Sequence, residues 1–216
     1  QNSKAVRHLG CGHAVDGQDV GEVSDRFAVL FVPAGYVFSI WGVIYLGLIA
    51  FAVYQALPAQ RANPRLRRIG YVFALGCLAN TAWIFLWHYN HITLTVIAML
   101  TLLASLLTIY LRLDIGQAPV RAVERWCVDI PFSVYLGWIS VATVANVTDA
   151  LYDLGWNGGP LAPEVWAVIM LAVALALTLA MLWLRHDVAY SLVIIWAAVG
   201  IAVKQADTRV VANAAW

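Results

Sequence analysis

The chain has 216 residues, 62% of them hydrophobic and 12% charged, with a formal net charge of +1 and a mean hydropathy of +0.78. A soluble domain carries about 25% charged and roughly 45–50% apolar residues, so this composition excludes a soluble globule, a disordered chain and a disulfide scaffold. The charge balance supplies no basic field for nucleic acid, and the chain reads as an all-α polytopic membrane protein.

Residues 1–28 are polar and Gly-rich, and read as a non-cytoplasmic N-terminal segment. They lack the apolar core of about 7–15 residues that a secretory signal shows, and the sequence does not begin with Met. Two readings stay open: a processed chain, or a seventh helix upstream. Cys11 and His13 look like half a metal site, but no second Cys pair follows, so no metal is expected. With Cys77 and Cys127, the three cysteines cannot pair completely.

Lys, Arg, Asp and Glu are then absent from six windows: 34–55, 69–87, 92–111, 130–148, 165–184 and 188–203. A spanning helix takes about 20 apolar residues, in a range of roughly 17–25. Five windows meet that length, and the sixth meets it if Lys204 snorkels. The alternating segments of outer-membrane strands are missing from 165–184. Six transmembrane helices are therefore expected, as a helical core over 29–155 and a C-terminal helical hairpin with a short tail over 156–216. The loops after helices 1, 3 and 5 carry eight arginines: Arg61, Arg65, Arg67, Arg68, Arg112, Arg121, Arg125 and Arg185. The segments 88–91 and 149–164 carry neither Lys nor Arg. The positive-inside rule then puts 56–68, 112–126 and 185–187 in the cytoplasm and both visible termini outside, in what reads as a bacterial inner membrane.

Inside hydrocarbon the informative residues are polar or aromatic. Helical spacing puts Phe38, Trp41 and Tyr45 on one stripe of helix 1, and Asn80, Trp83 and Trp87 on one stripe of helix 2. Tyr135, Trp138, Ala142, Asn146 and Asp149 continue one stripe of helix 4. A buried amide needs a partner, so Asn80 and Asn146 turn these stripes inward. The nine candidates Trp41, Tyr45, Asn80, Trp83, Trp87, Tyr135, Trp138, Ala142 and Asn146 describe a pocket for a flat or elongated apolar ligand. At this point the alternative, that both amides only join helices, stays open. Trp126, Trp156, Trp166, Trp183 and Trp216 read as an interfacial belt. Asp129 reads as a helix cap, Asp149 and Asp153 as interfacial, and His88 and His91 as solvated. Helices 5 and 6, joined only by 185–187, read as a hairpin packed outside the other four, with Ala172, Ala176 and Ala180 as an association ridge. No nucleotide-binding loop, nucleophile elbow or zinc-protease motif is present, and no catalytic residue is assigned.

The run Tyr135-Leu136-Gly137-Trp138, continuing through Ala142-Thr143 to Asn146, resembles the last-helix motif of the tryptophan-rich sensory or translocator protein family (TspO/MBR), roughly Y-L-x-W-x-x-F-A-T-x-L-N. Asn80-Thr81-Ala82-Trp83 is similar to that family's L-N-x-x-W segment, and Pro33 to Trp41 with Tyr45 to its first aromatic helix. The pattern differs in several places. The Phe38–Trp41 spacing is one residue shorter, and Ile84 and Phe85 replace a Pro. No Lys or Arg follows Tyr152 within five residues, so a cholesterol-recognition pattern is missing. The family has five helices, of which the first is not visible here, and helices 5 and 6 extend beyond its pattern, as in a distant, enlarged branch. The resemblance implies a membrane receptor or carrier for a tetrapyrrole or an isoprenoid or sterol-like lipid, with no required cofactor. Membrane lipids and a second copy of the chain are the expected neighbours. The competing reading is a non-catalytic subunit of a larger membrane complex, packed against pigments, lipids or partner helices.

Overall fold

The computed structural model describes residues 29–156 and 159–216; Cys11, His13 and the rest of the N-terminal segment lie outside them, as does Gly158. A 3-10 turn, Gly35–Ser39, leads into α1, Ile40–Ala56. Then follow α2, Val72–His88, and α3, Ile92–Arg112. The next long helices are α4, Ile130–Asp153, α5, Pro163–Arg185, and α6, Val188–Lys204. A short helix, α7, Arg209–Ala215, closes the chain. No strand occurs among the described residues.

The six long helices fall on the six uncharged windows. Four helical stretches are long and apolar enough to cross a membrane: Gly35–Ala56, Ile92–Arg112, Ala122–Asp153 and Pro163–Arg185. The other two, α2 and α6, are apolar and 17 residues long, which at 1.5 Å per residue is about 25 Å. The molecule is a polytopic membrane helical bundle.

The helix α4 is its axis. Its most apolar window is 67% buried by the rest of the protein, against 17% for α5. It packs on α1, α3 and α6, while α2 packs on α3 and α5 on α6. Close approach uses small residues, as expected where hydrocarbon replaces water. Gly137 of α4 lies against the Tyr190 carbonyl and Val193 of α6, and Gly47 of α1 against Pro131 of α4. The α6 helix also touches the start of α1: the Ala34 amide donates to the Gly200 carbonyl at 3.1 Å. Trp196 Nε1 donates to the Val37 carbonyl at 3.2 Å. This corrects the expectation of a hairpin lying wholly outside the other helices. The outer member is α5, whose sequence is aliphatic all round, whereas Gly200, Ser191 and Trp196 give α6 a contact face.

The arginine-rich loops gather at one end of the bundle. Arg65 reaches Glu124 and Asp129, each at 2.8 Å, and donates from Nε to the Leu113 carbonyl at 2.9 Å. Arg185 pairs with Asp114 at 2.7 Å. Asp129 is thus an ion-pair partner, not the helix cap expected; it makes no side-chain cap bond. Nor is 112–126 all loop. Helix resumes at Ala122–Glu124 and runs through a π-helical turn, Arg125–Asp129, into α4. The i→i+5 winding of that turn brings Glu124 and Asp129, five residues apart, toward the same side, where one guanidinium meets both.

At Gly200, any Cβ would collide with Val37 and crowd Pro33, and Val37 is fully buried. Gly200→Val is expected to destabilise by about 1–3 kcal/mol, the usual cost of overpacking. Gly42→Val, at an open position of α1, is the control. Thermal unfolding of both in detergent should show a lowered midpoint for Gly200→Val alone.

Candidate functional site

The three aromatic stripes converge as the spacing predicts, with Trp41 at their meeting point. Its ring stacks on Trp83 with centroids 6.4 Å apart and planes at 28°, and on Tyr45 at 5.7 Å and 25°. Trp83 stacks in turn on Trp87 at 5.4 Å and 20°. From α4, Trp138 and Tyr135 meet Trp41 edge-on at 6.3 and 6.1 Å, and Phe38 meets Trp138 edge-on at 5.7 Å. Such pairs add roughly 0.5–1.5 kcal/mol each beyond area burial. The packed rings therefore form a continuous wall. Trp41, Trp83, Trp87, Tyr135 and Trp138 are all buried, and Tyr45 is partly so.

Bordered by these rings, among α1, α2 and α4, lies a cavity of about 40 Å³. Of the nine candidates, Trp41, Trp83, Trp87, Trp138, Ala142 and Asn146 line it. Tyr45, Asn80 and Tyr135 do not line it. The volume holds a few water-sized groups, each needing about 10–15 Å³. A drug-sized ligand site runs to about 300–1,000 Å³, so the aromatic cluster is closed over most of its own space.

The two asparagines differ. Asn146 Nδ2 donates to Thr95 Oγ1 at 2.8 Å, and Thr95 Oγ1 donates to the Ile92 carbonyl. Asn146 therefore joins α4 to α3 while its flank borders the cavity. Asn80 shares a side-chain hydrogen bond with Tyr45, yet its Oδ1 is buried without a partner among the described residues. The indole Nε1 atoms of Trp83 and Trp138 are unpartnered in the same sense. Each such atom costs about 1–3 kcal/mol when sealed from water. Three of them in one aromatic cluster form a set of unused hydrogen-bonding groups.

The residue that sequence reasoning placed elsewhere is Asp149. It was expected at the interface, but only 1% of its surface is exposed and it lines the cavity. The i, i+3 step from Asn146 carried the signal, since it continues the inward stripe. His88, expected in solvent, is also buried, with Nδ1 2.8 Å from the Ile84 carbonyl; His91 is exposed. Among the described residues no group of three or more His, Cys, Asp and Glu side chains is placed to hold a metal.

A larger cleft of about 680 Å³ opens at the arginine-rich end between α1, α4 and α6. Its carboxylates are already engaged, Asp129 by Arg65 and Asp187 by Tyr110 and Ser133. Its walls include Val43 and Leu192, exposed apolar side chains of the kind that face lipid. The aromatic cavity, with its unpartnered polar atoms, is the stronger candidate.

A family model described as TSPO-like protein matches residues 5–216, and the chain belongs to that family. The match runs through α5 and α6, which the motifs alone had left beyond the family's pattern. No curated protein matches the chain, and no solved structure does.

The Thr95–Asn146 contact predicts a coupling. In a double-mutant cycle with Thr95→Val and Asn146→Leu, the interaction energy should fall near about 0.6 kcal/mol and not above about 1.7, the range for hydrogen bonds within membrane bundles. Unfolding of the four proteins in mixed micelles measures it.

Proposed function

We propose that this TSPO-like protein is a membrane receptor or carrier that holds a hydrophobic ligand against the aromatic wall of α1, α2 and α4. The observation that carries the reading is the run of stacked indoles bordering a cavity with unpartnered polar atoms. Flat conjugated rings stack on indole. Tetrapyrroles and isoprenoid or sterol-like lipids are the two ligand classes that suit such a wall. At about 40 Å³ the cavity admits either only when α1 and α4 part. Binding then selects an opened state. The arginine-rich end faces the cytoplasm of a bacterial inner membrane, and both visible termini lie on the opposite side.

A second reading, as a subunit of a larger membrane complex or a homodimer, is favoured by the low burial of α5 and by its outward Ala172 and Ala176. Gentle purification separates the two. Stoichiometric co-purification of other chains supports the subunit, and a homogeneous monomer counts against both association readings.

Porphyrin titration tests the first reading. Saturable quenching of Trp fluorescence is expected, and Trp83→Phe with Trp138→Phe should weaken it about fivefold or more, since each lost aromatic contact accounts for roughly 0.5–1.5 kcal/mol. Quenching unchanged in the double variant would move the site elsewhere. Orientation has its own check. In a background with the native cysteines replaced, single cysteines at Arg67 and Tyr89 should react with an impermeant maleimide from opposite faces of the membrane.

A further inference from the structure

The cleft at the arginine-rich end has the dimensions of a lipid site. Its α6 wall is Val188, Ala189, Leu192, Val193 and Trp196, which share one face of the helix. From Val188 to Trp196 that face rises about 12 Å at 1.5 Å per residue. One leaflet of a hydrocarbon core of about 30 Å is about 15 Å deep. Val43 of α1 and Ile130 and Val134 of α4 complete the apolar lining. Val43 and Leu192 are 58% and 60% exposed, so the cleft opens sideways on the surface of the bundle. Its deep end is closed by Trp196, whose indole donates to the Val37 carbonyl at 3.2 Å and meets Tyr36 edge-on at 5.5 Å.

The other end is polar. Arg125, Trp126, Gly116 and His186 line it, and all four are exposed. The loop that carries Gly116 is docked on the α5–α6 turn. Gln117 donates to the Leu184 carbonyl, Arg185 pairs with Asp114, and a Cβ at Gly116 would fall on the Arg185 carbonyl. Both carboxylates that line the cleft have partners: Asp129 pairs with Arg65, and Asp187 accepts from Tyr110, Ser133 and the Tyr190 amide. Arg125 forms no ion pair among the described residues and acts on Asp129 only through space. Eight arginines stand at this end against four carboxylates, Asp114, Glu124, Asp129 and Asp187. Each of the four is engaged within the protein, so the surplus charge is guanidinium. Basic pockets between spanning helices hold anionic headgroups. We propose that this cleft is a stoichiometric site for one anionic phospholipid of the adjoining leaflet, with its phosphate at Arg125 and an acyl chain along α6 to Trp196. A zwitterionic lipid carries an ammonium beside its phosphate, which offsets the pairing. The site is separate from the aromatic cavity and does not rest on what that cavity binds.

The test uses the full chain, delipidated in detergent, titrated with dioleoyl phosphatidylglycerol or dioleoyl phosphatidylcholine and read by native mass spectrometry. One phosphatidylglycerol should bind per chain with a preference of about fivefold or more, the effect of one basic group at an anionic surface. Arg125→Gln should remove that preference and leave phosphatidylcholine unchanged. Arg121→Gln, at the same end but outside the cleft, should shift it less than twofold. Leu192→Trp, a larger side chain at an exposed position of the apolar wall, should weaken both lipids. Glycerol 3-phosphate, a headgroup without chains, should displace neither. Equal binding of the two lipids by the wild-type protein overturns the proposal without any variant. An Arg121→Gln loss as large as that of Arg125→Gln overturns it as well, since the charge would then act as a diffuse surface field. Unchanged binding in Leu192→Trp, or displacement by glycerol 3-phosphate at equal concentration, removes the acyl chain from the cleft and the proposal with it.

Discussion

A charged or polar group buried in a protein must find its partners there, and Asp187, 6% exposed at the arginine-rich end of the bundle, shows what that constraint builds. Its Oδ2 accepts from Tyr110 of α3 at 2.8 Å and from Ser133 of α4 at 2.6 Å, while Oδ1 accepts the Tyr190 amide of α6 at 3.0 Å. One carboxylate thereby caps α6 and ties three helices together where the protein itself keeps water out. Hydrogen bonds to a charged group contribute about 1.5–3 kcal/mol each, and an unpartnered carboxylate costs more than any of them returns. The arrangement is consequently all or none. Once α6 is fixed to α4 in this way, Gly137 can seat against Tyr190. Trp196 reaches Val37, and the start of α1 is held where Trp41 meets Trp138. The aromatic cavity is downstream of a carboxylate at the other end of the bundle.

The fold was legible because bilayer helices write their lengths in the absence of charge. Each uncharged window matched a helix to within a few residues, and the arginine-bearing loops came together at one end, with Arg65 and Arg185 each finding a carboxylate. Helix-face arithmetic also worked for the aromatic stripes, since every aromatic on the three of them packs in one cluster. Pairing between helices was not legible. Spacing placed Asn80 and Asn146 inward, but only the packing decides that Asn146 meets Thr95 while Asn80 keeps an oxygen unused. The place of α6 was missed for a related reason. Its contacts depend on glycines and a serine, residues that register as small in a hydropathy window and not as surfaces. The π turn escaped because Arg121 to Asp129 is rich in charge, which reads as loop when the partner, Arg65, is 59 residues from Glu124 and 64 from Asp129 in sequence.

Asp149 illustrates how position in a span misleads. Counting from the helix end suggests the headgroup region, yet only 1% of the residue is exposed. Depth along the membrane normal and burial within the protein are independent coordinates. The first is available from sequence. The second depends on what the other segments bring against the residue, which spacing along one helix does not give.

Helix winding is unbroken from Ala122 to Asp153, and this makes α4 a single shaft. Asp129, held by Arg65, and Asp149, at the cavity, are carried on it about 30 Å apart at 1.5 Å per residue. A shaft of that kind transmits rotation. The π turn stores one surplus residue in its winding, and resolving it into regular helix would turn everything on one side relative to the other by about 100°, the step of a 3.6-residue turn. An event at the arginine loop that loosened the Glu124–Arg65–Asp129 clasp would thus be felt at the indoles as torque, with no messenger crossing the bilayer other than the helix itself.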